Sequence, residues 1–278
     1  MKYLIFIFLL GFLPDRSSAQ ELFINTEPAS NMPNQSYGFV VGAESFSSGG
    51  SIFTRTDLGF MYEVTGSLMT SAMLHASNYY GSYGFNNFDA YAKYRIYTDD
   101  GFKQHFRIAA YAQGAIGVQR NTFADVELEG GNRGLATGLI FTLLQNRFAI
   151  SSTIGIITLV PELNAAPGIS FQAVRNYNYS LSAGFLVYPS HYESYHDLNF
   201  NLYAELLGKY ITYDQVETSM PGMIMTNHGS VLDLAIGPQL IINSISRVDL
   251  SIRSRLISGV AGFPKPCVLL RFQQMFYH

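Results

Sequence analysis

The chain has 278 residues, of which 48% are hydrophobic and 13% are charged, with one cysteine and no tryptophan. About a quarter of the residues in a soluble domain are charged, so this composition argues against an ordinary cytosolic protein, and its hydrophobicity excludes a disordered chain. The formal net charge of −3 provides no basic surface for nucleic acid. A single cysteine excludes a disulfide framework and a Cys-based zinc site. The chain therefore has either a large apolar core or a surface that faces lipid.

The first residues have the pattern of a secretory signal peptide. Lys2 provides a positive charge, Leu4 to Leu13 form an apolar run, and small residues follow. This pattern predicts cleavage before Gln20, and the apolar run is too short to cross a bilayer as a helix. The predicted divisions are a signal peptide at 1–19, a periplasmic lead-in or partial plug at 20–35, and a single barrel domain at 36–278.

Apolar and polar residues alternate with a period of two along most of the remaining chain. In the segment 230–242, Leu232, Leu234 and Ile236 share one face, and Asp233 lies on the other. Such alternation over ten or more residues is typical of a strand with one apolar and one polar face. The pattern predicts twelve strands, over residues 36–46, 52–64, 66–77, 86–98, 104–119, 133–144, 147–159, 174–188, 197–211, 230–242, 246–258 and 267–277.

The connections between these strands alternate in length. Tight turns at 65–66, 98–103, 145–146 and 243–245 alternate with long connections at 78–85, 120–132, 160–173 and 211–229. Short turns at one end and long loops at the other are typical of outer-membrane barrels, as is an even strand number. The joins at 47–51 and 189–196 fit this alternation less well, so ten or fourteen strands are alternatives.

A secreted β-sandwich would also show alternating strands. The outer face of a sandwich would normally carry scattered Lys and Glu, whereas the polar faces here carry Gly, Ser, Asn and Tyr with a few embedded charges. The chain also ends in an aromatic-rich strand, Phe272 to Tyr277, as outer-membrane barrels typically do. We therefore predict an all-β fold, a single transmembrane antiparallel up-and-down β-barrel of about twelve strands.

Four stretches of the sequence resemble a known family. They are the opening ELFINTEPASNMP (21–33), LNFNLYAELLG (198–208), RVDLSIRSRL (247–256) and the closing segment 268–277. They are similar to an uncharacterised family of Gram-negative outer-membrane β-barrel proteins, and the resemblance covers nearly the whole mature chain. It implies a transporter-like barrel, and it supplies no established substrate or catalytic residue.

The polar faces of the strands define the predicted lumen. Their charged residues are Arg55, Asp57, Glu63, Asp89, Lys93, Arg95, Arg107, Glu205, Lys209, Asp233, Arg247, Asp249, Arg253, Arg255 and Arg271. Paired across strands, these charges would fill the interior; left partly unpaired, they would line a path that favours anionic solutes. Arg247, Arg253 and Arg255 share one face of a strand and Arg271 lies on the next, so these four form the sharpest candidate for such a path.

Two further sets of residues suggest alternative chemistry. Met220, Met223, Met225 and His228 lie in the long connection 211–229, and thioether and imidazole ligands suit Cu(I), although methionines on a loop also serve as adaptable apolar filler. His75-Ala76-Ser77-Asn78 matches the His-x-Ser-Asn constellation of outer-membrane phospholipases, and a Ser–His pair is the minimum for nucleophilic catalysis. The parity of His75 places it in the lumen, away from acyl chains, so enzymatic activity is not expected.

The leading hypothesis is a protein of the Gram-negative outer membrane that passes small polar or anionic solutes by passive diffusion, with no cofactor. Its expected partners are outer-membrane lipids, the barrel-assembly machinery and small solutes, and no nucleic acid. The first alternative is a closed barrel whose extracellular loops bind a ligand or a soft metal. The second is a lipid-modifying enzyme.

Overall fold

A computed structural model describes residues 23–79, 81–102, 104–117, 127–160, 169–171, 174–190, 194, 196–217, 224–259 and 267–277. The predicted signal peptide lies outside these residues. The strands are β1 Tyr37–Ser48, β2 Ser51–Thr65, β3 Leu68–Ser77, β4 Gly84–Gly101, β5 Gln104–Gly117, β6 Gly134–Gln145, β7 Phe148–Leu159, β8 Ile169–Phe171, β9 Val174–Tyr188, β10 Asn199–Glu217, β11 Ile224–Ile242, β12 Ser246–Ser258 and β13 Cys267–Phe276. No helix among the described residues is long and apolar enough to cross a membrane.

The strands form one closed antiparallel barrel. Each long strand pairs with the next in the chain, and β13 pairs back to β1 from Tyr37 opposite Phe276 to Phe46 opposite Cys267. The short β8 pairs with the far end of β10, in line with β9, so the two segments together form one position in the ring. The barrel therefore has twelve strand positions, which confirms the predicted fold class and strand number.

The two ends of the barrel differ in their connections. We call the end where β1 begins and β13 ends the lower end, and the opposite end the upper end. At the lower end, two residues join β2 to β3, β4 to β5, and β6 to β7. Most upper connections are longer, with the exception of Gly49 and Gly50 between β1 and β2. These two residues have φ of 58° and 81°, a backbone conformation that glycine adopts without steric cost.

The structure corrects one predicted connection. The stretch 211–229 was predicted to be a long loop, but β10 continues to Glu217 and β11 begins at Ile224, so most of this stretch is a β-hairpin. Its backbone pairing runs from Ile211 opposite Gly229 to Val216 opposite Ile224. The prediction was wrong because polar residues occupy both odd and even positions in this stretch of the sequence, which therefore lacks the alternation that indicates the other strands.

The outer face of the barrel is apolar. Large side chains of alternate residues point outward and are about half exposed, among them Phe39 at 51%, Leu58 at 55% and Ile252 at 50%. Water-soluble proteins do not expose contiguous apolar surfaces of this extent, whereas lipid chains stabilise them. The fold is therefore that of a transmembrane β-barrel.

Aromatic side chains gather near the ends of the strands on this outer face. At the lower end, the ring of Tyr37 stacks on that of Phe276 with centroids 5.1 Å apart. Tyr94 and Tyr188, 56% and 58% exposed, lie at the same end. Tyr210 lies at the upper end, with its ring centroid 6.5 Å from that of Tyr177. Such rings suit the interface between lipid and water.

Candidate functional site

The lower half of the lumen contains the start of the described chain. Residues 23–32, which we call the plug segment, lead into β1 from inside the barrel, and each of them is buried or half-buried. Phe23 and Ile24 are each 1% exposed and pack with Leu144, Ala149 and Tyr203 of the inner wall. The sequence left open whether this stretch is a lead-in or a partial plug; the described part of it lies within the lumen.

One carboxylate of the wall holds the beginning of the plug segment. Glu205 of β10 accepts hydrogen bonds from the backbone N–H groups of Ile24 and Asn25, at 3.1 and 2.9 Å. It also accepts bonds from the Asn25 amide at 3.1 Å and from the Thr26 hydroxyl at 2.9 Å. Bonds to a charged acceptor are stronger than neutral ones, so Glu205 is the strongest single attachment at this end of the segment.

Cationic side chains hold the carbonyl groups of the plug segment. Lys93, which is 1% exposed, donates from Nζ to the carbonyl oxygens of Pro28 and Ser30, both at 2.8 Å. Its Nζ also lies 3.3 Å from a carboxylate oxygen of Glu27. Arg247 donates to the carbonyl oxygen of Phe23 at 2.7 Å. These bonds satisfy backbone groups that have no partner in a sheet, as a buried segment without secondary structure requires.

Arg247 belongs to an ion-paired group of the wall. Asp249 accepts from Arg247 Nε at 2.8 Å and from Arg271 Nε at 2.9 Å. Arg271 also donates to the carbonyl oxygen of Phe23, at 3.3 Å. Gln239 donates to the same aspartate at 2.9 Å. Each of the two arginines thus donates hydrogen bonds both to Asp249 and to the plug segment.

The upper half of the lumen has a second group of charges, centred on Arg55. Arg55 Nη2 lies 3.0 Å from Glu44 and 3.2 Å from Glu129, and its Nε lies 3.0 Å from Asp57. Its side chain is 5% exposed. One guanidinium therefore balances three carboxylates that come from β1, from β2 and from the connection between β5 and β6.

His75 extends this group to β4. Its Nδ1 lies 2.6 Å from Asp57 Oδ1, and its Nε2 lies 2.5 Å from Asp89 Oδ2. Gln113 donates to the other oxygen of Asp89 at 3.0 Å. A ring with a carboxylate at each nitrogen bridges three neighbouring strands, so this part of the wall is held together by polar contacts.

Part of the upper connection between β5 and β6 folds into the lumen. We call residues 127–131 the inserted segment; it contains a short 3-10 helix, Leu128–Gly130. The side chain of Leu128 is buried against Ala115, Ala136 and Ile157 of the wall. This connection was expected only as a long loop, because nothing in its glycine-containing sequence indicates whether it folds into the lumen.

The two glutamates of the inserted segment face different charges. Glu127 pairs with Lys209 and also lies 3.8 Å from Arg253. Burial acts against ionisation of Glu127, but Lys209 and Arg253 outweigh it and hold the pKa of Glu127 below its usual range. Desolvation inside the barrel raises the pKa of Glu129 to about 7, although 41% of its side chain is open to the cavity, and the opposing charge of Arg55 does not cancel that shift. Glu129 therefore changes its charge close to neutral pH.

A cavity of about 330 Å³ lies between the plug segment and the inserted segment. Ile24–Glu27 line it from the plug segment and Glu127–Glu129 from the inserted segment. Tyr91 and Tyr111 line one wall, with ring centroids 5.7 Å apart and planes inclined by 22°. The Tyr111 hydroxyl accepts a hydrogen bond from the Asn178 amide at 3.1 Å.

Glycine is required beneath Tyr111. A Cβ on Gly155 would lie 2.2 Å from the Tyr111 hydroxyl oxygen, and a Cβ on Gly138 would lie 2.6 Å from its ring. Both distances are far below van der Waals contact, so the ring can lie across β6 and β7 only because these positions have no side chain. This arrangement sets the width of the cavity at that wall.

The structure places the sequence-predicted lumen residues on the inner wall, mostly in pairs. Arg253 pairs with Glu44, and Arg255 pairs with Asp233. Together with Arg247 and Arg271 on Asp249, all four arginines of the predicted anion path have a carboxylate partner. Arg95 lies lower and donates to the carbonyl oxygen of Gly66 at 2.6 Å. The arrangement is the paired alternative that the sequence left open, and solute selection by these arginines stays a prediction.

The predicted soft-metal residues are only partly described. Met220 and Met223 lie outside the described residues, and of Met225 only the backbone is described, within β11. His228 is exposed, with its ring centroid 6.4 Å from that of Tyr210. Within the described part of the chain, no group of three or more His, Cys, Asp or Glu residues could hold a metal ion.

The His-x-Ser-Asn residues do not form a catalytic pair. Both ring nitrogens of His75 face carboxylates, as described above. The Ser77 hydroxyl accepts hydrogen bonds from the Asn86 amide at 2.5 Å and from the Tyr79 backbone N–H at 3.2 Å. His75 and Ser77 are 1% and 0% exposed. A nucleophile needs a base within hydrogen-bond reach, and neither nitrogen of His75 is directed at Ser77.

An apolar outer belt, a charged lumen, short lower turns and longer upper loops define a β-barrel of the outer-membrane type. No protein-family model and no curated protein matches the chain. Among solved structures, it is similar to an outer-membrane channel from Pseudomonas putida F1, with a TM-score of 0.64 and 12% identity over 91% of this chain and 100% of that chain. This likeness concerns the fold.

Two further solved structures are more distantly similar. The NanC porin has a TM-score of 0.47 and 11% identity, over 86% of this chain and 98% of that one. The outer membrane phospholipase A from Escherichia coli has a TM-score of 0.42 and 8% identity, over 92% of this chain and 94% of that one. These structures are also outer-membrane barrels; the resemblance of the opening TEPASNMP segment to a particular family stays a prediction.

Proposed function

We propose that the protein is a passive channel of the Gram-negative outer membrane for small polar solutes, and that displacement of the plug segment opens it. The observation that carries this proposal is the cavity inside the barrel, lined by charged side chains between the plug segment and the inserted segment. A barrel filled only for stability would have a packed interior at this level. In this reading the lower end faces the periplasm.

The attachment of the plug segment supports displacement. Residues 25–31 contact the wall mainly through hydrogen bonds, to Glu205, Lys93, Thr142 and Glu63. Water that enters the vacated lumen can replace these bonds, most of which involve a charged group and contribute about 1.5–3 kcal/mol each. The large apolar side chains of the segment lie at its ends, at Phe23, Ile24 and Met32. Between them, only the small side chain of Ala29 packs in an apolar cluster of the described wall residues.

The solved structures add support at the level of fold. The Pseudomonas putida protein is an outer-membrane channel, and this chain covers all of it. We propose no catalytic activity, because His75 and Ser77 have other partners. We also propose contact with outer-membrane lipids, which the apolar belt supports, and insertion by the barrel-assembly machinery.

Single-channel recording in planar bilayers tests this proposal. The mature chain is compared with a variant that lacks residues 20–32 and with Glu205→Gln, which places an amide N–H₂ against N–H donors of the plug segment. We expect the deletion to raise the conductance several-fold, and Glu205→Gln to increase the fraction of time spent open.

Asp197→Asn is the matched control, because Asp197 accepts a bond from Ser194 in the lower connection between β9 and β10. It should leave the current unchanged. Folding of each variant is checked by the shift in electrophoretic mobility on heating. A folded deletion variant without current would overturn the proposal and favour the closed barrel whose upper loops bind a ligand.

A further inference from the structure

Carboxylates outnumber basic side chains among the residues that line the cavity. The lining includes the four basic residues Arg55, Lys209, Arg253 and Arg271, and the six acidic residues Glu27, Glu44, Asp57, Asp89, Glu127 and Glu129. Lys93 and His75 lie outside the lining, against Glu27 and against Asp57 and Asp89, so the surface that a solute meets decides the preference. Carboxylates on that surface favour cations, which is the opposite of the preference that the arginines of β12 and β13 suggested from the sequence.

The charges that a solute in the cavity can reach are mainly negative. The side chains of Glu27 and Glu129 are 43% and 41% exposed. The basic residues of the lining are less accessible: Arg271 is 22% exposed, Arg253 20% and Lys209 13%. Each of the two glutamates therefore keeps free surface beside its ion pair, and a solute in the cavity meets carboxylate oxygens first.

The aromatic wall offers a second kind of contact for a cation. Tyr91 and Tyr111 are stacked on the inner face, and aromatic rings attract ammonium groups by about 0.5–2 kcal/mol. The Tyr91 hydroxyl is buried and forms no hydrogen bond with any described residue. An unsatisfied buried hydroxyl is rare in native proteins, and an N–H donor from a solute would satisfy its oxygen.

We propose that this cavity is a binding site for a small organic cation, a primary ammonium compound, held by Glu27, Glu129 and the Tyr91–Tyr111 wall. The inference rests on the proposed channel function and names the class of solute. Glu27 belongs to the plug segment and Glu129 to the inserted segment, so each of the two segments inside the lumen contributes a carboxylate. Inorganic cations pass the same carboxylates but have no N–H group that could donate a hydrogen bond to the Tyr91 oxygen.

The test uses the full mature chain and ethylammonium chloride as the probe. Reversal potentials in a KCl gradient at pH 8.5 give the ratio of K⁺ to Cl⁻ permeability, and added ethylammonium should reduce the K⁺ current. We expect a preference for K⁺, which falls at least two-fold toward unity in Glu129→Gln. Glu27 leaves the path with the plug segment, so Glu27→Gln is tested by binding to the closed barrel. Tyr91→Leu should weaken the ethylammonium block and leave the K⁺ to Cl⁻ ratio unchanged. Asp197→Asn is again the control.

A second readout separates this inference from the channel proposal. Binding of ethylammonium to the folded barrel should raise its unfolding temperature relative to sodium chloride of equal ionic strength, and Glu27→Gln with Glu129→Gln should abolish the increase. Stabilisation without current would support the binding site and overturn the channel. Current with a preference for Cl⁻ that Glu129→Gln does not alter, or no stabilisation by ethylammonium, would overturn the cation site alone.

Discussion

The two halves of the lumen use the same residue types in different ways. In the lower half, Lys93 and Arg247 donate to backbone carbonyl groups of the plug segment. In the upper half, Arg55 and His75 bind carboxylates that belong to neighbouring strands. The lower contacts join the wall to a separate segment, whereas most upper contacts join parts of the wall to each other. The lower contacts can therefore exchange with water while the barrel stays intact.

Burial makes this difference energetically important. A buried charge is stable only when it is paired, and removal of one partner leaves the other uncompensated. Arg55 has three carboxylate partners, so its loss would leave several like charges together. Lys93 has mainly backbone partners, and its loss leaves two neutral carbonyl groups without a donor and the half-exposed carboxylate of Glu27 without its ion pair. Substitutions of Arg55 and Lys93 therefore compare what the upper and the lower contacts contribute to stability and to closure of the lumen.

The largest effect is expected for Arg55→Met. Removal of the guanidinium leaves Glu44, Asp57 and Glu129 without their common partner, and we expect a loss of about 3–5 kcal/mol in the free energy of unfolding. Chemical denaturation in detergent micelles, followed by circular dichroism, measures this loss. Arg107→Met is the comparison, because its carboxylate partner Asp100 has a side chain that is 44% exposed and pairs with an exposed partner contribute little. Arg107 also donates to the Ser30 hydroxyl at 2.9 Å, so we expect its loss to be smaller than that of Arg55→Met but not zero. Equal losses in the two variants would contradict the distinction between the halves.

For Lys93→Met we expect a smaller loss of stability than for Arg55→Met, and a larger change in the current across the bilayer. The substitution keeps the length of the side chain but removes the donors to Pro28 and Ser30, which costs about 1–3 kcal/mol for unsatisfied buried acceptors. The plug segment should leave the lumen more often, so the open fraction in bilayer recordings should rise. Arg55→Met, by contrast, should not increase the open fraction of molecules that remain folded. A Lys93→Met protein that is as unstable as Arg55→Met and no more open would contradict this account.

The smallest effect is expected from pH. The pKa of Glu129 is raised by burial to about 7, so its carboxylate is negative at pH 8.5 and largely neutral at pH 5.5. The preference for K⁺ over Cl⁻ should therefore decrease as the pH falls through 7. Reversal potentials at the two pH values measure the change, and Glu129→Gln should remove most of the pH dependence. A preference that strengthens on acidification would show that another group controls it.

The fold followed from the sequence because the signal was local. Alternation around Leu232 and Leu234 on β11, or Leu250 and Ile252 on β12, required no knowledge of partners, and each such segment is a strand. The same parity indicated which charged residues face the lumen. Where both faces were polar, as in the hairpin beyond Ile211, the pattern contained no information, and the strand was missed.

The site depended on contacts that sequence spacing does not show. The backbone of Ile24 bonds to Glu205, 181 positions later, and nothing in either stretch indicates the other. The pairing of the arginines with specific carboxylates depends on strand register, which the twelve-strand outline did not fix. Glu44 shares the inward parity of β1 and could have been identified, whereas Glu129 lies in a connection that gives no direction.

The unequal lengths of the strands give the rim of the barrel an uneven height. The upper ends of β1 and β2 meet at a two-residue turn. The last residue of β11 that pairs with β12 at this end is Val231, and β11 extends seven residues farther, over 224–230. At about 3.3 Å per residue, this hairpin continues for roughly 20 Å of strand past its neighbour. An epitope tag inserted at its tip would stand clear of the lipid surface and be open to an antibody on whole cells. The same tag between Gly49 and Gly50 would lie close to the headgroups and be largely shielded.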